Sequence, residues 1–257
     1  MTAIPNISRP MPVTGHYRRS SARLRLIEPA PRTVVFAAAR ELSPAHEAAR
    51  RLVNIAAALL GLVLAAPIML LVAIAVKVTS PGPIIYSQVR VGQDRRRRTG
   101  RAGTPRRAND LGGRPFRIYK FRTMRADAEK ASGAVWASQN DPRLSPIGGF
   151  LRKYRLDELP QLLNVLKGDM NIVGPRPERP SIFQQLSQSI PQYEARQLVK
   201  PGITGLAQVS QQYDQCLDDV RNKLRYDLEY LRQQSLWADM QIMVKTVPVV
   251  LLRKGGW

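Results

Sequence analysis

Between Leu52 and Val76 lie 25 residues without a charged side chain. Wound as a helix, this run would be about 37 Å long, enough to reach across a hydrocarbon core of about 30 Å. Such a segment is expected to fold against lipid; a wholly soluble buried helix fits this length less well. Pro67 stands inside the run, frees the carbonyl of Val63 and is expected to bend or break the helix. Both flanks are basic: Arg50 and Arg51 before, Lys77 and the arginines from Arg90 onward after. A spanning helix usually concentrates Lys and Arg on one side. Symmetric positive flanks instead fit a re-entrant segment with both ends on the cytoplasmic face. The residues alone leave re-entrant and spanning arrangements both open.

The charge balance narrows the partners. The 257 residues carry 40 Lys and Arg against 19 Asp and Glu, a formal net charge of +21. Such an excess points to an anionic partner: a phosphate-rich substrate, anionic lipid or nucleic acid. A single Cys excludes a disulfide framework and a Cys-rich zinc site. The two His, His16 and His46, both lie near the N-terminus, so a Ser-His-Asp triad or a His-based metal site is excluded from the main body. Chemistry there must use Asp, Glu, Lys, Arg, Ser, Thr or Tyr.

Residues 1–48, rich in Pro, Ser, Arg and Ala, read as a disordered basic tail, with a short helix over Thr33–Leu42. Ser80-Pro81-Gly82-Pro83 ends the apolar segment sharply. Ile84–Val91 and Pro115–Met124 read as strands of a hairpin. The Arg-rich stretch between them, residues 94–114, reads as an extended loop. A solvated charge run is the plain reading of that loop; as a binding element it would meet anionic headgroups, at about 1 kcal/mol per basic residue. Leu156, Leu159, Leu163 and Leu166 recur at helical spacing, with Asp157 as a natural N-cap, Pro160 in the first turn and Gly168 as the stop. Leu217, Val220, Leu224, Leu228 and Leu231 mark one amphipathic helix. Leu236, Met240, Met243 and Val247 mark another, ended by Pro248.

Four constellations carry candidate chemistry. In Arg152-Lys153-Tyr154-Arg155-Leu156-Asp157-Glu158 two carboxylates follow three cations at a helix start, where the dipole and nearby guanidinium groups favour the ionised Asp. An ionised Asp suits a nucleophile or a metal ligand; a capping pair with surface salt bridges is the plain alternative. In Gly174-Pro175-Arg176-Pro177 alternating prolines stiffen the chain and present Arg176 for a bidentate phosphate contact, or simply link two elements. Lys120 and Arg122 share one face of a strand and could clamp a phosphate, or solubilise an edge. Lys200–Gly205 holds two glycines of a tight turn. No nucleotide-binding glycine motif and no zinc spacing is present.

Taken in order, KFRTM (120–124), RLDELP (155–160), VGPRP (173–177) and KPGITGLAQV (200–209), with RVGQ (90–93) upstream, resemble the bacterial sugar transferases. These are monotopic phosphoglycosyl transferases, or polyprenyl-phosphate hexose-1-phosphate transferases. The resemblance implies that a UDP-sugar donates its sugar 1-phosphate to polyprenyl (undecaprenyl) phosphate, releasing UMP and starting lipid-linked exopolysaccharide or glycan synthesis. It implies Asp157 as the nucleophile of a covalent phosphosugar intermediate and Glu158 as a catalytic partner binding Mg²⁺. Lys120, Arg122, Arg152 and Arg176 become the substrate-binding cations. It further implies a helix-rich α/β fold: a re-entrant membrane helix over 49–79 broken at Pro67, then a catalytic domain over 80–257 with a β-hairpin and amphipathic surface helices. That domain would lie on the cytoplasmic face of the bacterial inner membrane. Homo-oligomers and partners in polysaccharide assembly are compatible with it, and nucleic acid is not expected. Two features depart from the family's pattern: the length of the 94–114 insertion, and Ala66 where a Ser usually precedes the proline. The competing reading is a membrane-tethered basic binding or scaffold protein that engages anionic lipid or nucleic acid.

Overall fold

The computed structural model describes residues 42–94, 113–125, 128, 141–211 and 217–252. The arginine run of the insertion, from Arg95 to Arg107, lies outside the described residues. So does almost all of the N-terminal tail, with the helix expected over Thr33–Leu42.

The apolar segment forms one helix, α1 (Pro44–Thr79). The Ser43 hydroxyl accepts from the His46 amide, Pro44 occupies the first turn, and the Ser80 amide closes the end on Val76 O. The helix thus starts ahead of the expected Ala49. Pro67 does not interrupt it: the chain stays helical from Pro44 to Thr79. One missing N–H removes a single hydrogen bond, and the turns on either side carry the helix through.

β1 (Ile85–Val91) and β2 (Pro115–Phe121) pair antiparallel as the expected hairpin, with Ile85 opposite Phe121 and Val91 opposite Pro115. Phe116, Ile118 and Lys120 share one face of β2 by parity. Phe116 and Ile118 bury there with Ala58 of α1 and with Val165 and Met170.

The helix expected from Leu156 to Leu166 is instead segmented. After α2 (Gly148–Lys153), the stretch divides into a single 3₁₀ turn (Leu156–Glu158) and α3 (Gln161–Lys167). Arg155 takes a left-handed conformation (φ 57°) that separates the first two, and Pro160 caps the third. Gly168, also left-handed (φ 84°), is the C-cap foreseen for it.

Part of the Lys200–Gly205 stretch, read as a tight turn, instead forms a second sheet with residues for which no strand was expected. β3 (Asn171–Val173) runs parallel to β4 (Gly202–Thr204). Three-residue strands are too short to show a period in sequence. α4 (Pro180–Ser189) packs on Val91 of β1, while Val173 of β3 buries with Leu198 of a 3₁₀ helix (Tyr193–Leu198) and Leu206 of α5 (Leu206–Ser210). α6 (Leu217–Gln233) and α7 (Leu236–Leu251) match the two expected amphipathic helices, although α7 runs past Pro248. The fold is therefore helix-rich α/β with two small sheets among the described residues.

α1 packs on this body at both ends. Near its start, Arg50 donates to Asp239 of α7 (2.7 Å), and Arg51 donates to the carbonyls of Val165 (2.5 Å) and Leu166 (2.7 Å). Asn54 Oδ1 accepts from the Ile172 amide of β3 at 2.5 Å. Near its end, Val72 and Val76 bury with Phe121 and Leu151. Along the outer side Leu60, Val63, Leu64 and Leu71 stay exposed.

Candidate active site

The hairpin, the 3₁₀ turn and the chain after β3 converge on two carboxylates. Asp157 and Glu158 are 6% and 5% exposed. The parity of β2 carries Lys120 beneath the hairpin, where its Nζ lies 2.7 Å from Glu158 Oε1 and 3.8 Å from Asp157 Oδ2. Arg176 Nη2 donates to Glu158 Oε1 at 2.6 Å and its Nη1 to Oε2 at 3.3 Å, a bidentate fork. Arg155 adds a third cation 3.7 Å from Oε2. Gln208 of α5 accepts from Arg176 Nη1 at 3.0 Å and steadies the same guanidinium. Arg152 donates through Nε to the Thr123 hydroxyl at 3.1 Å, and among the described residues its outer nitrogens carry no protein partner.

The pKa values of the two carboxylates are moved in opposite directions. Burial pushes Asp157 above the ordinary carboxylate range, with Lys120 and Arg152 opposing it. Burial also opposes Glu158, but Arg176, Lys120 and Arg155 together hold it well below that range. This corrects the expectation that a helix N-terminus would keep Asp157 readily ionised. The pair sits in a 3₁₀ turn ahead of α3, so side-chain cations set the balance, and desolvation dominates where only Lys120 is close.

Of the site residues read from the sequence, Lys120, Arg152, Asp157, Glu158 and Arg176 are drawn together. Arg122 is not among them. It is buried, and its Nη1 and Nη2 donate to the carbonyls of Pro81 (2.7 Å) and Ser80 (2.6 Å). β2 ends at Phe121, so the alternation linking Lys120 with Arg122 lapses there. In place of a phosphate clamp, Arg122 fastens the exit of α1 to the strand that delivers Lys120. Gly82 (φ 114°) leaves the space that guanidinium occupies. Sequence reasoning missed Gln208 and Thr123, whose roles arise only from the packing, although both lie inside the quoted motifs. Pro67 stands on α1, away from the carboxylates in sequence and element.

The residues do not fit a preformed Mg²⁺ site. Both Glu158 oxygens already accept from cations, and among the described residues no three His, Cys, Asp or Glu side chains converge. Mg²⁺ favours one or two carboxylates that are free to meet it.

A profile described as bacterial sugar transferase matches residues 45–253 of the chain. Three relatives carry names that describe activities. The UDP-N-acetylgalactosamine-undecaprenyl-phosphate N-acetylgalactosaminephosphotransferase of Aeromonas hydrophila is 41% identical over 83% of this chain and 46% of its own length. The UDP-glucose:undecaprenyl-phosphate glucose-1-phosphate transferase of Escherichia coli is 39% identical over 84% and 43%. The protein of the same name from Caulobacter vibrioides is 39% identical over 81% and 72%. The chain spans less than half the length of the first two. With the motifs in order, their side chains gathered at one buried pair and the profile covering most of its length, the chain belongs to the bacterial sugar transferase family.

Proposed function

We propose that this protein transfers a sugar 1-phosphate from a UDP-sugar to undecaprenyl or a related polyprenyl phosphate, with release of UMP. The observation that carries this reading is the unequal treatment of two adjacent carboxylates. Glu158 accepts from Lys120 and from both outer nitrogens of Arg176, with Arg155 3.7 Å away, so both of its oxygens are already engaged by cations. Asp157 has its nearest cation at 3.8 Å, which leaves an oxygen available to attack. Phosphoryl transfer asks a protein mainly for positioning and charge neutralisation, and this cluster supplies both.

In the first step an Asp157 oxygen bonds to the phosphorus that carries the sugar. The bond from that phosphorus to the bridging oxygen breaks, and the electron pair leaves with UMP. In the second step a phosphate oxygen of the polyprenyl phosphate attacks the same phosphorus. The acyl-phosphate bond breaks, the Asp157 carboxylate returns, and polyprenyl-diphosphate-sugar departs. Arg152, with its outer nitrogens free among the described residues, is placed to hold the phosphate oxygens. Lys120 and Arg176 offset charge that builds on the nucleotide side.

The acceptor's phosphate resides at headgroup level, so the site must lie there too. α1, although helical through Pro67, supports an arrangement that keeps both of its ends on one face of the membrane. Arg50, Arg51 and Asn54 at one end, and Val72, Val76 and the Ser80–Pro81 carbonyls at the other, all contact the same body. A helix with its ends in opposite aqueous phases would leave one end without such contacts. The catalytic body would then lie on the cytoplasmic face of the inner membrane and supply the first lipid-linked intermediate of a surface glycan. No observation among the described residues favours the binding or scaffold reading.

Asp157→Asn tests the mechanism. The variant is expected to remain folded and membrane-bound, to release no UMP, and to lack the phosphosugar adduct that mass spectrometry should find on wild-type protein given donor alone. UMP release by the variant at the wild-type rate would overturn the assignment of Asp157.

A further inference from the structure

Residues 175–178 belong to no helix or strand, so their carbonyls must be satisfied by other elements. Pro175 O accepts from the Gly202 amide at 2.9 Å, and Glu178 O from the Val91 amide at 2.9 Å. The two carbonyls between them are held by guanidinium groups. Arg176 O accepts from Arg196 Nη2 at 3.1 Å, and Pro177 O from Arg90 Nη1 at 3.1 Å. Four consecutive carbonyls are therefore gripped from four directions.

Arg196 is 1% exposed. Beyond the Arg176 carbonyl it donates to the Tyr193 hydroxyl at 2.6 Å and pairs with Asp227 (2.8 Å) and Glu178 (3.4 Å). Burying a cation this deeply costs several kcal/mol unless its partners are well arranged, and as a source of stability alone an ion pair here has no advantage over apolar packing. What the arrangement does achieve is to fix the main chain of the residue whose side chain forks onto Glu158.

We propose that Arg196 and Arg90 are positioning residues for the reaction. They hold the main chain at Arg176 and Pro177 so that the Arg176 guanidinium meets Glu158 and the donor's phosphate in a single orientation. The proposal rests on the phosphoryl-transfer reading of the site. Lysine at 196 would keep the charge, but one ammonium cannot serve Tyr193 and Glu178 on one side and Asp227 and the Arg176 carbonyl on the other.

The test is a double-mutant cycle between positions 196 and 176, read as kcat/KM for UMP release by nanodisc-held protein with undecaprenyl phosphate, alongside the Kd for UDP and the melting temperature. Arg196→Lys is expected to lower kcat/KM about 100-fold, the size of effect that a misplacement of about 1 Å produces. In an Arg176→Ala background the same change should cost less than about threefold, because its route of action is already gone. Equal losses in the two backgrounds would overturn the proposal and make Arg196 a packing residue. If Arg196→Lys does not fold, Arg90→Lys, from the less buried side, enters the same cycle with the same expectations. Wild-type protein that neither turns over nor binds UDP overturns the reading of the site and this proposal together. Turnover with additive losses overturns the proposal alone.

Discussion

Asp157 and Glu158 share a peptide bond and the cation Lys120, yet their pKa values are moved in opposite directions. Because burial raises Asp157, and attack needs its ionised form, activity should fall with decreasing pH at a higher pH than an ordinary aspartate would give. Lys120 is the largest influence lowering that pKa, so Lys120→Gln should move the acid limb of the rate profile upward. A limb that stays in place in this variant would remove Lys120 from the electrostatics of the nucleophile. With both Glu158 oxygens engaged by cations, titration of Mn²⁺ into nucleotide-free protein is expected to show no saturable site by electron paramagnetic resonance. Tight binding of one equivalent that is lost in Glu158→Gln would contradict this. Steric limits are equally local: a Cβ at Gly205 would overlap the Gly174 carbonyl oxygen. Gly205→Ala should therefore destabilise by about 1–3 kcal/mol, measured by thermal or denaturant unfolding.

At the scale of elements, the segment after β3 depends on Glu178, whose pKa is held down to about 2 by Lys223, Arg196 and Arg90 against the cost of burial. A depressed carboxylate contributes stability above its unfolded pKa near 4.5 and loses it as pH falls toward 2. Asp227, raised by burial, acts in the opposite sense, so the informative quantity is wild type minus Glu178→Gln. That difference should be about 3 kcal/mol at neutral pH and shrink between pH 4.5 and 2. The elements also differ in how legible they are. The hairpin, α6 and α7 announce themselves by alternation and helical stripes long enough to count. The β3–β4 pair cannot, since three residues fit any period and the pairing joins Asn171 to the distant Gly202. The leucine spacing around 156–166 suggests one helix, but the left-handed Arg155 and the 3₁₀ turn follow from packing of the carboxylates, which spacing does not encode. Lys120 and Arg122 look equivalent in sequence because parity holds only while a strand lasts.

For the whole molecule, α1 is less an appendage than a wall of the body, since both its ends are pinned. In oriented membrane vesicles of a Cys216→Ser protein, single cysteines introduced at Ser43 and Ser80 should both react with an impermeant maleimide from the same side. Labelling from opposite sides would establish a spanning helix. The same pinning bears on synthesis. Arg50 finds Asp239 only 189 residues later in the chain, and Asn54 meets Ile172 118 residues later. The apolar segment leaves the ribosome and confronts the bilayer long before either partner has been made. Its initial path into lipid must therefore be chosen by its own flanking charges and its proline, and the body can only ratify that choice afterwards. A substitution in the flanks would then act on how the protein is born, even where the finished fold would have tolerated it.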